Sequence, residues 1–231
     1  MDADGTNGRR GPLATRRRSF FGDLTGAIGA IVAVVGIAFT GAATAQAYPQ
    51  VTRSAEIAIT RDPGPARIGA RDPEVTIVEY FDYNCPFCRR ITPMLRQVVA
   101  TGPRLALIYK DWPVLGPASV YAARCALAAG YQGKYLAAHD ALLGGPRLTS
   151  DAEVQQVLAR AGIDVPRMLG DLQRHAAAIG HVLDRNDDEA RALELQGTPG
   201  LLIGRTLVPG VVGRAELLRL IAAAREGRGK R

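Results

Sequence analysis

Val75-Thr-Ile-Val-Glu-Tyr-Phe-Asp-Tyr-Asn-Cys-Pro-Phe-Cys88 joins a run of β-branched and aromatic residues to two cysteines three positions apart. Val75–Phe81 has the composition and length of a buried strand. Pro86 suits the first position of a helix, where its fixed φ fits and its missing N–H would have no partner anyway. The spacing of Ile91, Met94, Leu95 and Val98 then carries a helix to Gly102. Cys85 is therefore expected where strand gives way to helix, with Cys88 one turn further on. A thiolate at a helix N-terminus is favoured by the free N–H groups and the dipole, so the Cys85 pKa is expected below the ordinary thiol range. Arg89 and Arg90 add positive charge in the same turn. Cys88 is within reach to close a disulfide or to resolve one by exchange.

Half of a zinc knuckle and a purely structural disulfide are the other uses of such a pair. Zinc takes about four ligands, and only Cys125, His139, His175 and His181 remain to complete a set, with no ligand-like spacing. Redox chemistry is the better reading. Glu79 stands six residues before Cys85, among the apolar Ile77, Val78 and Tyr80. Buried there, its carboxyl would have a raised pKa and would exchange a proton with Cys88; at a strand edge it would only face water. Cys125, on an alanine-rich helix, reads as a small buried hydrophobe and not as a third redox thiol. Trp112 either lines a peptide groove near Pro113 or packs against the helices that follow.

Outward from this stretch, Arg104–Tyr109 reads as a second strand. Helices follow over about 117–130, 132–143, 150–161, 165–174 and 176–195, separated by glycine and proline breaks. Gly200–Gly204 and Thr206–Pro209 suggest a strand pair, and Arg214–Arg225 a closing amphipathic helix. The order is β-α-β, a block of helices, then β-β-α, an α/β fold. Arg61–Arg67 reads as a loop leading into the domain, and 227–231 as a polar tail. Gly197-Thr-Pro-Gly200 precedes the third strand. A cis bond before Pro199 would offer the Thr198 backbone as an edge to a bound peptide strand, although X-Pro bonds are mostly trans.

The chain has 231 residues, 47% apolar and 22% charged, an ordinary globular composition that excludes disordered and fibrous classes. Its net charge of +7 rests on 29 basic and 22 acidic side chains, and Arg9, Arg10, Arg16, Arg17 and Arg18 crowd the first residues. No basic cluster alternates with aromatics, so nucleic acid is not an expected partner. Arg16-Arg-Arg-Ser-Phe-Phe21 is followed by an uncharged stretch from Leu24 to the small-residue end Ala45-Gln-Ala47. That is the layout of a secretory signal, twin-arginine-like or general, over residues 1–47; left uncleaved, it would be a weak membrane anchor. Either way the domain is expected on the extracytoplasmic side, in the periplasm or at the outer face of the membrane.

With these residues in view, the sequence resembles the DsbA-like thiol:disulfide oxidoreductases of the bacterial envelope. The resemblance rests on Val78–Cys88, on Tyr109-Lys-Asp-Trp-Pro-Val-Leu-Gly116 and on Gly197-Thr-Pro199, and covers roughly Pro63 to Ala224. It implies a thioredoxin-like fold with an inserted helical domain, here a lead-in over 48–66 and a domain over 67–226 with the insertion at about 117–195. It implies Cys85 as the exposed nucleophile, Cys88 as its buried partner, Glu79 as the acid, and Pro199 as a cis-proline beside the site. Pro86, Phe87, Thr198 and Pro199 would contact substrate. No metal or organic cofactor is implied. The expected substrates are exported polypeptides, and a membrane redox partner would recycle the pair. Phe87 departs from the histidine that the best-known oxidases carry there, and Thr198 resembles the reductase and isomerase branch. Oxidase is the leading expectation, with reductase or isomerase as the alternative. The rival of another class is a non-catalytic envelope chaperone or binding module, against which the intact Cys-x-x-Cys argues.

Overall fold

A computed structural model describes residues 48–229 except Pro63 and Pro65, together with all but the last two side chains of that range. The expected export signal over 1–47 lies outside the described residues. The chain enters through α1 (Arg53–Thr60), whose first turn is capped by the Thr52 hydroxyl accepting from Ala55 N–H, and a short strand β1 (Arg67–Gly69). Then come β2 (Val75–Phe81), α2 (Pro86–Thr101) and β3 (Leu105–Asp111). Five helices follow: α3 (Pro117–Ala129), α4 (Tyr135–Gly144), α5 (Asp151–Arg160), α6 (Val165–Arg174) and α7 (Ala176–Ala192). Strands β4 (Gly200–Ile203) and β5 (Thr206–Pro209) and helix α8 (Arg214–Gly229) complete it.

The sheet order is β1-β3-β2-β4-β5, with β2 and β3 parallel and the other pairings antiparallel. A sheet with helices on both faces needs central strands that are mostly apolar, and β2 and β3 are buried at every residue, Glu79, Lys110 and Asp111 included. Alternation then sorts their side chains. Ile77 and Phe81 of β2 join Ile91 and Leu95 of α2 in one core, which also takes in α3 to α6 and Leu217 and Ile221 of α8. Val78 and Tyr80 point the other way, into a second core with Ile59, Ile108, Trp112 and Ala190. Each such buried aliphatic is worth about 1.5–3 kcal/mol relative to exposure.

A buried ionic cluster holds the second face together. Lys110 Nζ, without solvent exposure, lies 2.7 Å from Asp62 and 2.8 Å from Glu189. Tyr80 donates to Glu189 at 2.9 Å, and Arg185 Nε to Asp62 at 3.0 Å. Burial opposes ionisation of Asp62, yet the bonds from Lys110, Gly64 and Arg185 hold its pKa below the ordinary value. Trp112 belongs to this side, its Nε1 donating to Asp187 on α7 at 2.9 Å, so it packs against a helix and lines no groove.

Two segments differ from the expectation drawn from sequence. Helix α1 lies in the lead-in over 48–66, where the sequence showed no element, and β1 begins at Arg67, the last residue of the expected loop. Helix α8 runs on to Gly229, past the expected end at Arg225, because Arg225 donates to the Pro103 carbonyl at 2.6 Å and pairs with Glu74.

Candidate active site

Strand β2 ends at Phe81, and Asp82–Asn84 turn the chain into α2. Cys85 is the N-cap of that helix, with extended backbone (φ −73°, ψ 116°) and Pro86 just inside. Its sulfur accepts from the Cys88 N–H at 3.4 Å and lies 3.1 Å from the Thr198 carbonyl oxygen, to which the thiol donates. The Cys85 pKa falls to about 6. A hydrogen bond from the Cys88 thiol does most to lower it, burial works against it, and the Thr198 side chain and the N–H groups of Cys88 and Phe87 contribute further. Cys88 moves the opposite way, far above the ordinary thiol range, through burial first and then the neighbouring Cys85 and Glu79. The two cysteines are free thiols here. One sulfur is thus prepared as nucleophile or leaving group and the other as a proton-bearing thiol, which is the asymmetry that ordered disulfide exchange needs.

Glu79 has no solvent exposure, and burial pushes its pKa up to about 8 against the pull of a hydrogen bond from Thr92. Thr92 Oγ1 lies 2.7 Å from Glu79 Oε1 and 2.8 Å from the Cys88 carbonyl, while Glu79 Oε2 has no partner. Thr92 was not singled out from sequence. Its place one helical turn after Cys88 was the available signal, since positions i and i+4 share a face.

The Thr198–Pro199 peptide is cis, and Pro199 is buried where its carbonyl accepts from Gly210 N–H at 2.8 Å. Pro86 and Phe87 are exposed, Phe87 at 47%, and the Arg90 guanidinium stacks 4.9 Å over the Phe87 ring. The nucleophile implied to be exposed is only 2% exposed. The cap position turns its sulfur back toward the helix, and the Thr198 carbonyl covers its remaining side.

Several residues that the sequence reading passed over shape the turn. Asp82 is buried with every bond made: Oδ1 accepts from Asn84 N–H and Ser119 Oγ, each at 2.7 Å, and Oδ2 from Leu115 N–H at 2.9 Å. Behind the turn lies a polar cluster. Tyr135 donates to Asp111 at 2.6 Å, and the Tyr83 hydroxyl lies 3.4 Å from His139 Nδ1. His139, which had no ligand-like spacing in the sequence, is wholly buried against Phe81, Tyr83, Tyr109 and Tyr135, and burial lowers its pKa to about 3. Burial raises Asp111 to about 7. His175 stacks on Tyr131, away from this cluster. Cys125 is fully buried, with its pKa raised to about 12. Among the described residues no group of three or more His, Cys, Asp or Glu side chains is placed to hold a metal ion.

A sequence-family profile, the DSBA-like thioredoxin domain, matches residues 76–222. Among solved structures, a thioredoxin-like oxidoreductase from Silicibacter pomeroyi DSS-3 is 34% identical with a TM-score of 0.70, over 76% of this chain and 99% of that one. A periplasmic thioredoxin-like protein from Salmonella enterica serovar Typhimurium is 31% identical with a TM-score of 0.63, over 77% and 99% of the two chains. The thiol-disulfide exchange protein alpha-DsbA2 from Wolbachia pipientis is 27% identical with a TM-score of 0.67, over 73% and 93%. Curated relatives include the Na(+)/H(+) antiporter NhaA 1 of Mycolicibacterium gilvum, 28% identical over 160 residues, which are 68% of this chain and 26% of the antiporter. The chain spans about a quarter of the length of such relatives, so the likeness concerns one part of them.

Proposed function

We infer what this chain does from the fact that it belongs to the DSBA-like thioredoxin domain family, whose structurally similar members include thiol-disulfide oxidoreductases. It acts on exported polypeptides outside the cytoplasm as a disulfide donor. The observation that carries this reading is the split between the two sulfurs: Cys85 with its pKa lowered to about 6, and Cys88 kept protonated beside Glu79. A stabilised thiolate favours the dithiol form, and so makes the disulfide form the more oxidising.

In the donating direction a substrate thiolate attacks Cys85 of the Cys85–Cys88 disulfide. A substrate–Cys85 bond forms, the bond to Cys88 breaks, and Cys88 leaves with a proton from Glu79. A second substrate thiolate then attacks the substrate sulfur of the mixed disulfide, and Cys85 departs as thiolate. The substrate has lost two electrons to the pair, which a membrane redox partner must reoxidise. Exposed Pro86 and Phe87 and the Thr198 backbone beside Pro199 would contact the substrate. Residues 1–47 would direct export, in keeping with the periplasmic description of the Salmonella relative.

Reduction or isomerisation is the second reading, favoured by Phe87, whose ring can donate no hydrogen bond to the thiolate. The reduction potential of the Cys85–Cys88 pair against glutathione buffers separates the two. A value near about −120 mV supports donation, and one near about −270 mV overturns it in favour of a reductase kept reduced by its membrane partner.

A further inference from the structure

The turn that carries Cys85 is fastened to the chain between α4 and α5 by two side chains that flank the cysteine pair. Asn84 Nδ2 donates to the Leu148 carbonyl at 3.0 Å while its Oδ1 accepts from Leu148 N–H at 2.8 Å, so the amide pairs with that backbone as a neighbouring strand would. Nδ2 also lies 3.2 Å from Ser119 Oγ. Arg89 spreads its guanidinium over three carbonyls. Nε donates to Tyr83 at 2.9 Å and Nη2 to Pro146 at 2.8 Å, and Nη1 donates to Gly145.

The segment they grip is itself fixed. Leu148 is buried in the main core, and a Cβ on Gly145 would sit 2.8 Å from the Ala141 carbonyl. Carbonyls satisfy the geometry of a guanidinium without neutralising it. Arg89 stands one residue past Cys88, where burial lowers its pKa while Asp82 and the Cys85 sulfur work against that fall. Two kinds of control meet here, one electrostatic and one purely of shape.

We propose that Asn84 and Arg89 are positioning residues for Cys85, through which the Gly145–Leu148 connection of the helical insert sets the acidity of the nucleophile and the potential of the pair. The proposal rests on the reading of Cys85 as the nucleophile. Loss of either grip would let the Cys88 and Phe87 N–H groups drift from the sulfur they point at, and the thiolate would be less favoured.

The test is the thiolate absorbance of the reduced full chain against pH, with Cys85→Ser assigning the step. Arg89→Met is expected to raise the midpoint by about one unit. Arg89→Lys should raise it too, because an ammonium cannot span three carbonyls. Asn84→Ala should also raise it, though it removes no charge. The equilibrium constant against glutathione should shift toward the disulfide form by up to about tenfold, about 30 mV. If Arg89→Lys and Asn84→Ala titrate like the parent, the proposal is overturned: Arg89 is then only a nearby charge, and any lowered melting temperature only structural. Arg89→Lys is the mild variant that keeps the test open should Asn84→Ala not fold. If the parent itself shows no step below the ordinary thiol range that Cys85→Ser removes, the nucleophile reading fails, an outcome distinct from the first.

Discussion

The Thr92 hydroxyl sits 2.7 Å from Glu79 Oε1 and 2.8 Å from the carbonyl oxygen of Cys88. A hydroxyl has one proton to give. Given to Glu79 Oε1 it steadies the carboxylate, and given to the Cys88 carbonyl it leaves that carboxylate with less support. Burial outweighs that bond and pushes the Glu79 pKa up to about 8, which favours a neutral acid at neutral pH near the Cys88 sulfur.

Glu79→Gln keeps the shape and removes the acid. Exchange steps that protonate or deprotonate Cys88 should slow by about 10²-fold or more, read as the rate of mixed-disulfide resolution in stopped flow. Stability should move the other way. Because the folded-state pKa of Glu79 is raised from 4.5 to about 8, its contribution is full below pH 4.5, declines as pH rises through that window, and is gone above it. Denaturant midpoints of the parent should fall over this range by more than those of Glu79→Gln. Asp111, raised from 3.8 to about 7, has the same sign and leaves a residual slope in the variant.

Thr92→Val replaces the hydroxyl by a methyl in nearly the same volume. Glu79 then loses the one group that steadies its carboxylate, so the pH at which Cys88 reacts fastest should rise. The cost in stability should be about 1 kcal/mol. An unchanged pH profile would show that Thr92 only caps the helix carbonyl.

For Cys85 the linkage runs in the other direction. Its folded pKa of about 6 against the ordinary 9 stabilises the dithiol form above pH 9, and that stabilisation is lost as pH falls through about 6. The melting temperature of the reduced protein should therefore gain on that of the oxidised protein as pH rises between these values. The gain should vanish in Cys85→Ser.

Lys110→Met should destabilise the chain by up to about 3 kcal/mol, because it leaves the partly buried Asp62 with Arg185 and the partly buried Glu189 with Tyr80. Urea unfolding measures this. The thiolate titration of Cys85 should be unaffected, since Lys110 points into the core on the far face of the sheet from Glu79.

The architecture was legible where burial imposes a period. The β-branched and aromatic run of β2 around Glu79, the helical spacing after Pro86 and the alanine-rich helices all stand where pattern puts them, with Cys85 at the helix start and Cys88 one turn on. Arg53–Thr60 mixes polar and apolar residues too evenly to announce α1, and three residues of β1 are too few to show alternation. The bonds of Asn84 and Arg89 to the Gly145–Leu148 connection were hidden because those partners are backbone groups more than fifty positions away, which no side-chain pattern marks. His139, among alanines and leucines, gave no sign of its aromatic surroundings. The low exposure of Cys85 depends on a carbonyl from the other end of the chain.

That recessed sulfur has a consequence for the clientele. Disulfide exchange needs the three sulfurs nearly in line, and a sulfur only 2% exposed between a helix start and a carbonyl leaves an incoming sulfur little room. A cysteine on a slack, extended stretch of chain can bend into that notch; one braced inside a finished domain would have to bring its whole surface along. On the proposed reading of Cys85 as nucleophile, access would sort polypeptide substrates by how far they have folded, and a protein would pass out of its reach by completing its own structure.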